Sequence, residues 1–496
     1  MLETHLTVRT ESPIGTISPR LYGHFAEHLG RCCYDGLWLG TEQTAVPTYG
    51  GFRKDVVDAL KALPVPMLRW PGGCYADHYH WRDGIGERVR RLGLSCGLQV
   101  EDDNTLGTHE FMALCRMLGA EPYLAGNMGS GSVQELCDWV EYCNSGLNTS
   151  LAAERVANGA RQPFDVKLWG VGNENWGCGG NYDAETYARE YRRYATMLRH
   201  VDPTIELVAC GQDDEWNLKF LQTNQRWLSL MDHLSIHRYW INGGSELDFT
   251  EDQYYTLLGE AHATEDFVKR TADYVMDALG SSQQRIGIAL DEWGVWHPEA
   301  RPWGPDGANL HREPVTYEQA GTLRDALSIG VALEGFHRQC NVLTLANLAQ
   351  IVNVLHAPVM TDGAAMWVTP SYYALQLHIP HIGAQALPVE VTHGAALPGS
   401  YSDTNAVTAT ASSTEAGLAI TLVNRHYAEA ASVVVSAAGL SRVASAKLLA
   451  ADSPRAVNSA QDPNHVQVTT LEVGAAGPGL WRIELPAHSM ATVQLA

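Results

Sequence analysis

The chain lacks most of the signals that would point to a membrane, a nucleic acid or a structural metal. Among its 496 residues no apolar run approaches the roughly 18 residues of a membrane span. The first segment, MLETHLTVRTESPIG, carries acidic residues where a signal peptide would carry a hydrophobic stretch, so the expectation is a soluble, cytoplasmic protein. Cations are scarce: 34 Lys and Arg stand against 56 Asp and Glu, a formal net charge of −22. A phosphate backbone or an anionic lipid surface would be repelled, which excludes nucleic acid and membrane as partners and favours a neutral ligand. The 10 cysteines show no paired metal-ligand spacing, and Cys32 and Cys33 are adjacent. Reduced thiols are expected, with neither a disulfide framework nor a zinc site. There is no solenoid repeat and no low-complexity tract.

What is present is an alternation. Between residues 16 and 375, strand-length apolar runs at 20–25, 66–70, 122–126, 167–172, 205–210, 233–239, 285–290 and 342–347 alternate with helical patterns such as 108–118 and 184–201. Eight βα units of this kind predict an α/β fold, a (β/α)8 barrel. From 376 to 496 the texture shifts to alternating β-branched segments such as GLAITLVNR and ASVVVSA, free of cysteine, which predict a C-terminal antiparallel β-sandwich. Residues 1–15 also alternate and are expected to add a strand to that sandwich.

In a parallel barrel the loops after the strands build the active site, so the polar residues just past each apolar run are the candidates. In chain order they are Glu27, Arg69, Cys74, Asn127, Asn173, Glu174, His237, Tyr239, Asp291, Glu292, Asn347 and Gln350. Glu174 in WGVGNENWG and Glu292 in ALDEWGVW follow the fourth and seventh strands, which face each other across an eight-stranded mouth. Two facing carboxylates are the equipment for cleaving a glycosidic bond, one as acid and base, the other as nucleophile or base, and their separation decides between retention and inversion. Neighbouring glycines let backbone approach a ligand, and tryptophans stack on sugar faces. A lone glutamate at a strand end is ordinarily solvated or salt-bridged; the facing pair is what carries weight.

Other residues weigh less. His24 with His28, and His78 with His80, have spacings a metal could use, but no remaining ligands can be identified, and they read as packing or hydrogen-bonding residues. Cys74 has no base spaced to activate it and reads as a buried neutral thiol. The acidic segment 246–253, ELDFTEDQ, reads as a solvated loop, with a part in a lid as the alternative.

Taken together, GHFAEHLGR, RWPGGCYADHYHWRDGIG, VEDDNTLGTHEF, WVEYCN, LWGVGNENWGCGG, SIHRYW, DEWGVW and ANLAQIVNVL resemble the family 51 glycoside hydrolases, the α-L-arabinofuranosidases of the clan of retaining barrel enzymes. The resemblance spans nearly the whole barrel in order. It implies an exo-acting, retaining enzyme releasing L-arabinose from arabinan- or arabinoxylan-derived oligosaccharides, with no metal or other cofactor. Glu174 matches the family's acid/base and Glu292 its nucleophile. Glu27, Cys74, Asn173, Tyr239 and Gln350 match residues contacting the furanose, and Arg69 and His237 match supports of the nucleophile. Family members are often intracellular homohexamers. In LSCGLQVEDD, Cys96 and Leu98 stand where many relatives carry a tryptophan, which implies weaker stacking on the leaving-group side. Some relatives have asparagine in place of Cys74. Competing readings are a related β-xylosidase or β-glucanase, a metal-dependent barrel hydrolase built on the histidines, and a sugar-binding protein without turnover.

Overall fold

Eight short strands pair edge to edge, all in parallel, and close on themselves in this computed structural model, which describes residues 1–42, 45–301, 315–415, 417–437 and 439–496. In chain order the barrel strands are Gly23–Phe25, Met67–Trp70, Glu121–Gly126, Leu168–Val171, Glu206–Ala209, His233–Trp240, Gly287–Val295 and Leu343–Ala349. They are called strands one to eight below. The continuous apolar runs have a physical reason, since every strand is covered by helices outside and by its opposite numbers inside. Met67, Tyr123, Leu168, Val208, Ala289 and Leu345 fill the interior as one buried cluster, so the barrel is a packed core.

Helices connect successive strands. Thr108–Leu118 and Ala184–Val201 form where the periodicity places them. In the second, Tyr187, Tyr191, Tyr194 and Leu198 bury one face, and the Asp183 side chain caps the start by accepting from the Thr186 N–H at 2.8 Å. Such a cap contributes about 1 kcal/mol. The segment 246–253 departs from the solvated loop expected: Glu246 and Phe249 are buried, the Glu246 carboxylate accepts from the Ala320 N–H, and Arg324 lies over the Phe249 ring.

The C-terminal segments form two packed sheets. One is ordered Val389–Gly394, Leu2–Val8, Ala431–Ser436, Leu480–Leu485, Val473–Gly477; the other holds seven strands. The N-terminal strand sits inside the first sheet. It pairs antiparallel with Val389–Gly394 and parallel with Ala431–Ser436, so the sandwich is not wholly antiparallel as expected. The sandwich has its own core of Leu6, Val407, Ile420, Val433, Ile483 and Val493.

Helix Leu323–Arg338, between strands seven and eight, is the seam between barrel and sandwich and is buried along almost its whole length. Gly330 marks the closest approach: a Cβ there would stand 2.3 Å from Met490 Cε and 3.0 Å from Val423 Cγ2 of the sandwich. A larger residue there would have to displace the Met490 side chain.

Candidate functional site

Strand seven continues past its apolar run, so Asp291 and Glu292 are strand residues. A register irregularity between strands six and seven sets Glu292 opposite His237. Glu292 is 5 % exposed. Its Oε1 accepts from Arg69 Nη1 at 2.8 Å and its Oε2 from the Tyr239 hydroxyl at 2.7 Å. Burial alone would raise its pKa; the charges of His237 and Arg69 and the hydrogen bonds from Tyr239 and Arg69 outweigh burial and hold it below the usual carboxylate range. Arg69 is itself fully buried, and its second Nη donates to Asn173 Oδ1 at 2.5 Å. A guanidinium so placed needs several acceptors, and this one has the Asp291 carbonyl as well.

Glu174 follows strand four in a left-handed backbone conformation, φ +41°. Its Oε1 lies 2.8 Å from His237 Nδ1, which is also 3.6 Å from Glu292 Oε2. Burial opposes protonation of His237, yet the charges on Glu292 and Glu174 raise its pKa. One oxygen of Glu174, one of Glu292 and a ring nitrogen of His237 lie within 4.8 Å of one another.

Glu27, from the end of strand one, is 2 % exposed and accepts from the Tyr75 N–H, the Ser95 hydroxyl and Gln350 Nε2. Burial and the neighbouring charge of Glu292 push its pKa up to about 7, against the hydrogen bonds of Tyr75 and Ser95 and the charge of Arg69. Among the described residues Asn173 Nδ2 and Gln350 Oε1 are buried polar atoms with no partner, pointing to a ligand that would supply one. The structure thus brings Glu27, Arg69, Asn173, Glu174, His237, Tyr239, Glu292 and Gln350 to one mouth. Asp291, which accepts from Tyr123 and Asn347, lies one layer below. Asn127 serves a turn instead, accepting from the Ser130 and Gly131 N–H groups.

Cys74 corrects two expectations. It is bonded to Cys178 across 104 residues, so it is no thiol and the chain does contain a disulfide; the other eight cysteines are free. The two sulfurs lie 3.9 and 3.7 Å from Glu174 Oε2. Bonded sulfurs have no S–H to donate, so they pack against the carboxylate.

The histidine pairs do not assemble a ligand set. His24 is buried and its pKa is lowered by burial to about 4, His28 accepts from Trp70 Nε1 and faces Asp102 at 3.0 Å, and His80 pairs with Glu135. Sequence reasoning missed Asp102, which accepts from the hydroxyls of Tyr34 and Tyr75 at 2.5 Å each and steadies the hairpin 91–102. That hairpin carries Ser95 to Glu27 and places Cys96, φ +46°, where the charges of Glu27, Glu174 and Glu292 add to burial in raising its pKa.

Comparison with known proteins extends over both the barrel and the sandwich. Residues 59–254 match the model of the α-L-arabinofuranosidase 1 domain, and residues 291–489 that of the α-L-arabinofuranosidase C-terminal domain, which begins inside strand seven. An intracellular exo-α-L-arabinofuranosidase of Bacteroides ovatus is 38% identical over 99% of this chain and 95% of its own length. The crystal structure of the family 51 arabinofuranosidase of Xanthomonas axonopodis pv. citri superposes with a TM-score of 0.92 at 34% identity, covering 100% of both chains. The arabinose complex of the Thermotoga maritima α-L-arabinofuranosidase superposes with a TM-score of 0.87 at 31% identity over 99% of both. With a full-length relative above the level at which family is secure and a shared fold from end to end, the chain belongs to the family 51 α-L-arabinofuranosidases.

Proposed function

We propose that this arabinofuranosidase is exo-acting and releases L-arabinose from arabinan- or arabinoxylan-derived oligosaccharides by a retaining double displacement. The observation that carries retention is the approach of Glu174 and Glu292, one oxygen of each within 4.8 Å of the other. Retaining pairs stand about 5–5.5 Å apart and inverting pairs, which admit a water, about 6.5–9.5 Å. Glu292, kept ionised by Arg69, His237 and Tyr239, attacks the anomeric carbon while Glu174 protonates the leaving oxygen. Glu174 then takes a proton from the water that hydrolyses the glycosyl ester. Loss of the Glu292 charge in that ester leaves Glu174 as the one charged carboxylate of the pair facing His237 in the second step, where it acts as the base.

Asn173 Nδ2 is the donor for the sugar 2-hydroxyl, a bond that strengthens in the transition state. Glu27, Tyr239 and Gln350 line the rest of the furanose subsite. The disulfide Cys74–Cys178 presents sulfur to the sugar in place of a thiol. Residues 16–375 act as the catalytic domain and 376–496, with 1–15, as the sandwich domain. The intracellular name of the Bacteroides relative supports a cytoplasmic location, and the family resemblance supports a homohexamer; among the described residues no helix is long and apolar enough to cross a membrane. Proton NMR of the first arabinose formed tests the mechanism: the α anomer appears first, whereas initial β anomer would overturn retention.

A further inference from the structure

The strongest unused group in the molecule is a buried acid beside the acid/base loop. Asp77 is 1 % exposed and lies in the short turn Cys74–His78 that follows strand two. Its Oδ1 accepts from the Met128 and Gly129 N–H groups at 2.7 and 2.8 Å, in the loop after strand three. Its Oδ2 accepts from the Asn173 N–H at 3.0 Å, in the loop after strand four. Among the described residues no cation pairs with it; burial raises its pKa to about 7 against the pull of these backbone donors and of the Asn175 side chain. One carboxylate therefore ties three consecutive active-site loops together.

The tie falls at a strained place. Gly172, φ +84°, and Glu174, φ +41°, flank Asn173 in left-handed conformations, and a non-glycine residue keeps such a φ only when its surroundings dictate it. Gly179 closes the same loop over Asp77 so tightly that a Cβ there would stand 2.5 Å from Oδ2 and 2.2 Å from the Asn173 carbonyl oxygen. The Cys74–Cys178 bond staples the same two loops at their other end.

We propose that Asp77 is a positioning residue for the proton transfer: by holding the Asn173 N–H it fixes the backbone from which Glu174 reaches the leaving oxygen. The inference rests on the acid/base role given to Glu174 above. An asparagine at 77 has one acceptor oxygen where the carboxylate uses two, so either the Asn173 N–H or the Met128 and Gly129 pair would face an NH2 group. A displacement of about 1 Å at Glu174 costs on the order of 100-fold.

Asp77→Asn and Glu174→Ala, each in the full chain, are compared with wild type on phenyl and 2,4-dinitrophenyl α-L-arabinofuranosides, whose leaving groups do and do not need a proton. Asp77→Asn is expected to lose about 100-fold in kcat/KM on the phenyl glycoside and about tenfold less on the dinitrophenyl one, the same bias as Glu174→Ala. Equal losses on both substrates, or none, would overturn the positioning role while Glu174→Ala still shows the bias. If Glu174→Ala itself shows no bias, the acid/base assignment fails instead. Should Asp77→Asn fail to fold, Gly179→Ala, which presses on the same contact, is read by the same ratio and decides the matter.

Discussion

Two buried polar clusters, the barrel mouth and the barrel–sandwich seam, solve opposite problems with overlapping residue types. At the mouth, Arg69 meets Glu292 and His237 meets Glu174 within hydrogen-bonding distance, and the pKa of His237 is raised while that of Glu292 is lowered, which favours the charged form of each. At the seam, the histidines are kept neutral. His337 joins the Tyr22 hydroxyl to the Thr410 hydroxyl, His381 joins Ser412 to Thr421, and His378 is held by the Ala374 carbonyl. Burial lowers the pKa of all three, for His378 to about 4, and no carboxylate is placed to oppose it. Charge along the seam helix sits in ion pairs, among them Arg425 with Glu334 and Arg338 with Glu265. Burial is the same in both places; the difference is whether a counter-charge is supplied. One cluster is set up for reaction and the other for cohesion.

The contrast can be broken most sharply at Glu292. Glu292→Ala should lose roughly 10⁵-fold in kcat on an activated aryl arabinofuranoside, with the fold intact by circular dichroism. Glu174→Ala comes next. On natural oligosaccharides it should lose about 10³-fold, and azide should restore turnover of activated substrates, giving an azide of retained α configuration. Full activity of either variant would erase the distinction between mouth and seam.

At the seam the sign reverses. His337→Phe leaves the buried Thr410 hydroxyl without its partner, at about 1–3 kcal/mol, and the Tyr22 hydroxyl with only a long bond to the His378 carbonyl, so thermal unfolding should move down by several degrees while kcat per folded molecule stays put. A fall in kcat at unchanged melting temperature would merge the two clusters into one.

The smallest effect is the pH dependence. A histidine whose folded pKa is depressed contributes stability above its ordinary pKa and loses it as the pH falls, so the seam weakens between pH 6.5 and about 4. Glu27 runs the other way: its folded pKa is raised, so its protonated form favours folding and that contribution is lost as pH rises from 4.5 to about 7. Denaturant midpoints followed across pH should show both slopes, and Glu27→Gln should reduce only the second, the remainder belonging to Asp77, whose pKa burial also raises to about 7.

Much of this was legible in the residues. Apolar runs and helical spacing located the barrel strands, because a sheet buried on both faces has little choice of composition. Glu174 and Glu292 stood out because strand order places them opposite each other. The Cys74–Cys178 bond did not, since pairing across 104 residues depends on how two loops fold, which no local pattern records. Asp77 and Asp102 were hidden for a related reason: their partners are backbone N–H groups and tyrosine hydroxyls from other loops, which leave no spacing to read. The partner of Glu246, the Ala320 N–H, lies 74 positions away, so nothing local in the sequence distinguishes this glutamate from a solvated one.

The N-terminal strand has a consequence for how the molecule is made. Leu2 pairs with Ala431 and Thr4 with Gly394, so this strand waits during synthesis for partners made about 400 positions after it. The barrel between them can close during synthesis, but the sandwich can close only afterwards, its two ends meeting across the finished barrel. Until then the edges of Val389–Gly394 and Ala431–Ser436 stand open to strands of other chains, and the interval before the N-terminal strand docks is when a newborn copy is most exposed to aggregation.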